Sequence, residues 1–490
     1  MVVTNLNGGP RIRLGLEVIN NLLKELSNPH LKLPLVHIGG TNGKGSICAH
    51  IEQILRHSNY RVARFTSPYL RKPSDSITID GKPMDDQDFL KTLKLVESVS
   101  NENGLKPTGF EVLTAIAFQT FSNRVDDLDL AVVEVGMGGE SDCTNVCGSD
   151  NTLVSCLTPI GLDHQSFLGS TIEEITNVKA GISKRNVPIV LAQQNFEGVE
   201  KLIRSKARLI GTELYNVPKY PVDQYLSDPP QPFSLPKFFE DDLTAEKQKI
   251  PNPLSSTHNA TYQHQNASTA VSVAHILRSH PHPLSLIPSL SKNITDESIL
   301  KGLQGPTMRG RMEWVTLKTV KRETIPVLID GAHNSEGGKA LGSYLHKISK
   351  PITMIISMSS PRDPSEFIRS LNIKKLQRMN KLKIIITEFS TEDDHYPKEM
   401  GGLISETKRP VSSQEILKSF KDYFEDIDQD LQGENSIERM PNLIIAKDVR
   451  EALETCERRY EEVGKNNCIV VCGSLYLVRD LIIELDKEQG

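Results

Sequence analysis

Short apolar runs alternate with helically spaced apolar positions from Leu35 to about Leu191. Leu35 to Ile38, Val62 to Phe65, Leu128 to Val135, Thr152 to Leu157 and Val187 to Leu191 each predict a buried strand. Behind the first of them, Ile47, Ile51, Ile54 and Leu55 recur at the spacing of one helix face. Strand and helix patterns in alternation predict an α/β domain with a parallel-dominated sheet covered by helices. Between about Asn216 and Ser256 the periodicity stops and the chain turns Pro-rich and polar, as in Asp228-Pro229-Pro230-Gln231-Pro232. That stretch reads as a surface insert within the first domain. Helical spacing resumes at Asn266 to Leu277, and Pro281, Pro283 and Pro288 then predict a loop. A second series of strands follows at Ile325 to Ile329, Ile352 to Met358, Leu382 to Thr387, Asn442 to Ala446 and Cys468 to Cys472. It predicts a smaller Rossmann-like α/β domain, so that the chain divides into 1–310 and 311–490. The acidic stretch from about Asp422 to Glu438 reads as a solvated loop or helix face.

A length of 490 residues suits two or three domains with ample buried surface. Hydrophobic content of 38% and a net charge of −5 describe an ordinary globular chain without the basic excess that recruits nucleic acid. The seven cysteines are odd in number and form no CxxC pair, which argues against a disulfide framework or a zinc site and for a reducing compartment. No apolar run approaches membrane-spanning length, and residues 1–10 lack a signal-peptide core and an Arg-rich amphipathic pattern. The expectation is a cytoplasmic monomer with small-molecule partners, a mitochondrial location being left open.

The chemistry is concentrated in Gly39-Gly40-Thr41-Asn42-Gly43-Lys44-Gly45-Ser46, set between a strand pattern and a helix pattern. Glycines there let the backbone approach phosphate oxygens, the helix N-terminus attracts an anion, and Lys44 adds a mobile positive charge. Ser46 offers a hydroxyl to a phosphate-bound magnesium ion. The strict P-loop spacing is not met, since Ile38 stands where a glycine is required and Gly45 where Ser or Thr follows the lysine. The plainer reading is an ordinary Gly-rich turn, but four glycines around one lysine favour a nucleotide. Glu134 stands at the carboxyl end of the third strand pattern, where ligands bind in open α/β sheets. Taken alone, a glutamate closing a strand needs no ligand. Asp163 and His164 follow the next strand, and as an isolated pair they read equally as a turn. Thr171-Ile172-Glu173-Glu174 forms a capping box opening a short helix, with Lys179 in its last turn and Gly181 as its stop. The simple role for Lys179 is to complement the helix dipole. Composition and spacing carry the reading as far as a magnesium-dependent nucleotide enzyme.

In their order, the motifs resemble the folylpolyglutamate synthase and dihydrofolate synthase family of Mur-type ATP-dependent amide ligases. The resemblance spans nearly the whole chain. It rests on Leu14 to Glu17, GTNGKGS at Gly40 to Ser46, Thr66-Ser67-Pro68, VEVGMGG leading to Asp142 and Thr144-Asn145, and GLDHQSFLG at Gly161 to Gly169. It continues through KAGI at Lys179, His264 to Ala267, Arg309-Gly310-Arg311, IDGAHN at Ile329 to Asn334, and Gly473 to Leu477. The resemblance implies a Mur-ligase-like P-loop ATPase domain followed by a glutamate-ligase domain. It implies ATP-driven amide formation between a folate-type carboxylate and L-glutamate through an acyl phosphate, with two magnesium ions. By the same resemblance Thr41, Asn42, Gly43, Lys44, Gly45, Ser46, Asn266, Arg311 and Asp330 contact ATP, and Ser67, Glu134 and His164 hold metal. Lys44 and His333 belong to the catalytic set, as does Lys179, whose family counterpart is carbamylated. Gly15, Leu16, Glu17, Thr108, Gly109, Phe110, Glu111, Ser141, Asp142 and Cys143 match positions lining a pterin pocket. Phe110 reads equally as a stacking face or as ordinary core.

Three departures touch the substrate side. Glu140 follows the paired glycines where the family usually has arginine, Tyr69 replaces the histidine of Ser-Pro-His, and Arg309 replaces the proline of Pro-Gly-Arg. Asn42 within the loop and the segment Asp75 to Pro83 resemble fungal dihydrofolate synthases, which implies 7,8-dihydropteroate as acceptor. A folylpolyglutamate synthase or a bifunctional enzyme is the alternative within the family. A nucleotide-switch protein that has lost ligase activity is the alternative outside it, motivated by Glu140 and the long insert.

Overall fold

The computed structural model describes residues 2–4, 10–13, 15–217, 261–304, 308–318, 324–348, 350–360, 362–374, 376, 382–390, 409–430, 441–463 and 467–487. The chain forms two compact units, one of residues 1–69 and 73–307, the other of residues 70–72 and 308–490.

The first unit is built on an eight-stranded sheet. Its order across the sheet is Leu214–Asn216, Ile189–Leu191, Thr152–Leu157, Leu35–Gly39, Leu130–Glu134, Val62–Phe65, Ile77–Ile79 and Lys82–Pro83. The first six run parallel and the last two are antiparallel additions at one edge. The central strands are continuous Val, Ile and Leu runs because both faces are covered, as parallel sheets require. Val36, Ile38, Val132 and Val154 pack under the helices Lys44–His57 and Thr261–Ser279. Leu157, Ile189 and Leu191 turn the other way and meet the helices Ile172–Lys179 and Val199–Ile210. A third helix, Asp296–Leu303, lies so close to the helix Lys44–His57 that a side-chain carbon on Gly302 would come within 2.5 Å of the Ile54 backbone.

Two local expectations are corrected. Residues 281–286 form a helix, not a loop: Pro281 occupies a first-turn position where its missing N–H costs nothing, and the His280 ring accepts the His282 N–H. Gly181 is not the stop of the preceding helix, which ends at Lys179 and passes through Ala180 into a 3-10 turn over Ala180–Ile182. Gly181 is small for another reason: a Cβ there would lie 2.3 Å from the Cβ of Glu140. The Pro-rich insert expected at 216–256 lies outside the described residues, except that Asn216 ends the strand Leu214–Asn216 and Val217 is buried behind it.

The second unit carries a six-stranded sheet in the order Glu313–Lys318, Thr324–Ile329, Cys468–Cys472, Ile352–Ile356, Leu382–Ile386 and Asn442–Ile445. Five of the strands are parallel and match the apolar runs in the sequence; Glu313–Lys318 is an antiparallel edge that the runs do not announce. Its residues alternate between half-buried and exposed, with Leu317 fully inside, so it has no continuous apolar stretch. Cys468–Cys472, last in sequence, sits between two earlier strands, and such a reversal opens a crevice at the carboxyl edge of the sheet. The helix Ser413–Asp430 accounts for the first part of the acidic stretch, and 431–440 lies outside the described residues. Among the described residues no helix is long and apolar enough to cross a membrane.

Candidate active site

The strand Leu35–Gly39 delivers the glycine-rich loop to the carboxyl edge of the first sheet, and the helix Lys44–His57 leaves from it. Two of its glycines answer to specific neighbours. A Cβ on Gly40, which has φ +132°, would fall 2.0 Å from Thr158 Oγ1, and one on Gly43, with φ +88°, would fall 2.4 Å from Asn266 Oδ1. Thr41 ties the loop to the next strand's exit: its N–H donates to Pro159 O at 2.9 Å. Its hydroxyl donates to Gly161 O at 3.2 Å and accepts the Gly161 N–H at 3.0 Å. Lys44 Nζ curls over the loop and donates to Thr41 O at 3.1 Å and Gly40 O at 3.4 Å. Ser46 is buried in the first turn of the helix, while Asn42 and Gly45 are half-buried beside it. Asn266 Nδ2 and Thr158 Oγ1 are buried against the loop without a partner among the described residues, which marks a place for polar ligand atoms.

Lys179 comes to the same loop from the far end of its helix. Its side chain is 3% exposed, and Nζ donates to Gly40 O at 2.8 Å across 139 residues of sequence. Burial first, and the positive charge of Lys44 second, bring its pKa down to about 7. An ammonium complementing its own helix dipole would instead keep its charge in solvent.

Glu134 closes the neighbouring strand in register with Ile38, and its buried carboxylate accepts the Ser67 N–H at 3.1 Å. Ser67 and Glu134 are therefore adjacent, at a Ser67–Pro68 cis peptide. His164 adopts φ 54° at the start of the short helix Gln165–Leu168, and its N–H donates to Asp163 Oδ1 at 2.9 Å. Among the described residues no group of three His, Cys, Asp or Glu side chains lies together as a metal cage. Glu134 supplies a carboxylate oxygen, and Ser67, hydrogen-bonded to it through its backbone N–H, carries a hydroxyl; donors of this kind fit magnesium, which takes one or two protein ligands and completes its octahedron with phosphate and water.

The residues expected to line a pterin pocket divide into a connected group and a separate one. Phe110 is half-buried, stacked on Phe65 at 6.1 Å and 20°, and a Cβ on Gly136 would strike its ring at 2.2 Å. It begins the helix Gly109–Ser122, capped by Thr108 and Glu111: the Glu111 N–H donates to Thr108 Oγ1, and the Thr108 N–H to Glu111 Oε2. Asp142 is buried at the turn after Gly138-Gly139-Glu140-Ser141, where its Oδ2 accepts the Met137 N–H at 2.8 Å and its Oδ1 the Thr144 N–H at 3.0 Å. Burial pushes its carboxyl above the usual range, against these hydrogen bonds. Cys143 meets Thr114 of the capped helix at 3.3 Å. Gly15, Leu16 and Glu17 open the helix Glu17–Glu25, and no hydrogen bond links them to this group. Glu140 is exposed, and its N–H donates to Val178 O at 2.9 Å.

In the second unit Asp330, His333 and Arg311 gather at the exit of the strand Thr324–Ile329. Asp330 accepts the Met312 N–H at 2.8 Å and the Ala332 N–H at 2.7 Å, bracing two turns at once. A Cβ on Gly331 would lie 3.1 Å from Arg311 Nη1, so the guanidinium crosses that turn. His333 Nδ1 lies 2.6 Å from Gly331 O; a carbonyl only accepts, so the ring carries its proton on Nδ1. Sequence reasoning passed over Thr158 and His37, and took Thr144 only as part of a motif. Their signal was polarity inside apolar strand patterns or beside a motif, which is ambiguous until the fold shows what they face.

A glycine-rich loop at the carboxyl edge of a mostly parallel sheet, followed by a second Rossmann-like unit, defines an open-sheet α/β protein of the class that binds ligands at the carboxyl ends of its strands. Residues 313–485 match the family described as dihydrofolate synthetase, C-terminal domain. The "Probable dihydrofolate synthetase" of Schizosaccharomyces pombe is 30% identical over 476 residues, which cover 96% of this chain and 98% of that protein. The dihydrofolate synthetase of Saccharomyces cerevisiae is 29% identical over 476 residues, covering 96% of this chain and 97% of that one. In three dimensions the chain is similar to the folylpolyglutamate synthase of Mycobacterium tuberculosis solved with ADP and AMPPCP, with a TM-score of 0.70 at 22% identity and 96% coverage of both chains. The chain belongs to the dihydrofolate synthetase and folylpolyglutamate synthase family of ligases.

Proposed function

We propose that this chain joins the amine of L-glutamate to the carboxylate of 7,8-dihydropteroate, converting ATP to ADP and phosphate. The observation that carries this reading is the meeting of two lysine amines at the Gly40 carbonyl, with the Glu134 and Ser67 pair at the neighbouring strand end. The nucleotide complexes of the mycobacterial relative support ATP as the phosphoryl donor. A carboxylate oxygen on the p-aminobenzoyl part of dihydropteroate attacks the γ-phosphorus, an O–P bond forms, the β,γ-bridging P–O bond breaks and ADP departs. The glutamate amine then adds to the acyl carbon, loses a proton, and phosphate leaves as the amide forms. Lys44 and the N–H groups from Gly43 onward hold the charge that accumulates on the transferred phosphoryl group. Two magnesium ions, when bound, neutralise phosphate charge, and Ser67, Glu134 and His164 would hold them. Asn266, whose amide lies buried against the glycine-rich loop, would contact the nucleotide, and Arg311, Asp330 and His333, gathered at one strand exit, are the ATP-contacting and catalytic candidates of the second unit.

Lys179 takes up CO2. Its depressed pKa leaves much of the amine neutral near pH 7, and the neutral amine is the form that adds CO2, forming an N–C bond and releasing a proton. The resulting carbamate puts an anion where a buried ammonium would oppose Lys44.

Parallel assays with ATP, magnesium and L-glutamate, offering dihydropteroate in one and tetrahydrofolate in the other, test the reading. Amide product from dihydropteroate alone is expected. Product from tetrahydrofolate alone replaces the reading with folylpolyglutamate synthesis, product from both makes the enzyme bifunctional, and nucleotide binding with no product favours the switch protein.

A further inference from the structure

His37 sits in the strand that feeds the phosphate loop, yet it points away from that strand's main hydrophobic cluster. Val36 and Ile38 on either side face the helices Lys44–His57 and Thr261–Ser279, so His37 emerges on the opposite face, fully buried. There its Nε2 lies 2.9 Å from Thr144 Oγ1, a residue 107 positions away. The Thr144 hydroxyl donates its one proton to Asp142 Oδ1 at 2.5 Å. Having given that proton away, Thr144 can only accept from the histidine, which fixes the ring as the Nε2–H tautomer. Nδ1 is then an acceptor, buried without a partner among the described residues. Burial and the nearby Lys184 charge both hold the imidazole pKa below its ordinary value, so the ring is neutral at pH 7.

The relay has a fixed direction and a defined end. It runs from His37 through Thr144 to Asp142, whose other oxygen holds the Met137 N–H in the turn that follows Glu134. Beyond Thr144, Asn145 is held from the other side by Lys184 Nζ at 2.6 Å and donates to Gly181 O at 3.3 Å and Glu140 O at 3.1 Å. The segment 136–145 is thus pinned beneath by the phosphate-loop strand and laterally by the turn after Lys179. A histidine in a strand core at such a distance serves packing alone if its ring merely fills space; here the ring's one hydrogen bond among the described residues goes to the hydroxyl that orients a buried carboxylate.

We infer that His37 is a positioning residue for the pterin substrate, acting through Thr144 to hold Asp142 and the turn 136–145 in the shape that receives the ring. The inference rests on the ligase reading above and extends it to a residue outside the substrate and nucleotide sets.

Four variants test it: His37→Leu and Thr144→Val remove the donor and the relay, whereas His37→Gln and Thr144→Ser keep an N–H or O–H at the same place. The KM for dihydropteroate is expected to rise about tenfold in the first two and to return to within about threefold of wild type in the second two, with KM for ATP changed less than about twofold. The double variant His37→Leu/Thr144→Val should be no worse than either single one, because both break one link. A lowered melting temperature with an unchanged pterin KM overturns the inference, as does a His37→Gln enzyme as impaired as His37→Leu. Should His37→Leu fail to fold, the Thr144→Val and Thr144→Ser pair decides by the same KM comparison. If the wild-type assays name tetrahydrofolate as the acceptor, the acceptor reading falls alone, and the shift in KM is measured for that pterin instead.

Discussion

The two units place chemistry at the carboxyl edge of similar sheets but hold it in opposite ways. In the first, the candidate groups are fixed by partners far away in sequence: Lys179 to Gly40 over 139 residues, Thr41 to Gly161 over 120, Ser67 to Glu134 over 67. In the second, the side-chain bonds are more local, Asp330 to Ala332 and His333 to Gly331 over two residues each and Asp330 to Met312 over 18, while the backbone of Asp330 and Ala332 is tied to Val471 and Gly473 from the neighbouring strand. A site assembled from distant strands exists only when the whole sheet is formed, and its charged members can be buried because the sheet surrounds them. Side chains braced within two adjoining turns depend less on distant side-chain partners.

The comparison is most exposed to Lys44→Ala. Turnover should fall by on the order of 10³-fold or more, with the melting temperature nearly unchanged, because Lys44 spans only its own loop and its loss opens no core. Near-normal turnover in a folded variant would remove the phosphate-gripping role and with it the contrast between the units.

Lys179→Met is next. Activity should drop at least about a hundredfold, and the variant should change the pH dependence of stability in CO2-free buffer. The unfolded chain keeps the lysine proton up to about 10.5, whereas the folded protein releases it at about 7, so the unfolded state binds more protons between those values. Wild-type stability therefore rises with pH across that window, and below it the buried ammonium is a full penalty. The methionine variant should lack this contribution to the rise and be the more stable protein at pH 6, as read from urea midpoints at pH 6 and pH 9. A parallel pH course for the two proteins would show that Lys179 is not held as described.

The smallest effects separate long-range from local holding most cleanly. Thr41→Val cuts the two bonds to Gly161 and should lower kcat/KM about tenfold, since it loosens the turn carrying Asp163 and His164. Asp363→Ala removes the exposed cap of the helix Pro364–Leu371 in the second unit and should cost about 1 kcal/mol of stability while kinetic constants stay within about twofold. If the cap variant moved the kinetics as much as Thr41→Val, the two units would not differ in kind.

What the sequence made legible follows the same division. The central strands of both sheets, the capping box at Thr171 and the glycine-rich loop are written in local patterns, because apolar runs and cap residues act on their immediate neighbours. The edge strands Glu313–Lys318 and Ile77–Ile79 escaped, being short or half-exposed and defined by the strand beside them. Pro281 misled because proline breaks a helix only within it and favours one at its start. At the candidate site, Lys44 was visible from its glycines, whereas the inward course of Lys179 was not. A lysine in the last turn of a helix satisfies the dipole rule whether it faces water or core, and only the position of Gly40 decides. His37 was equally silent, since a polar residue in a strand core has no periodicity of its own.

The buried thiols have a practical use. Cys48, Cys143, Cys147 and Cys156 belong to the first unit and Cys456, Cys468 and Cys472 to the second, all of them buried and unpaired. Burial raises every one of these thiol pKa values, so the thiolate that alkylating reagents attack is scarce while the fold is closed. The native chain thus carries two sets of silent internal clocks, one per unit, each started only by the opening of its own core.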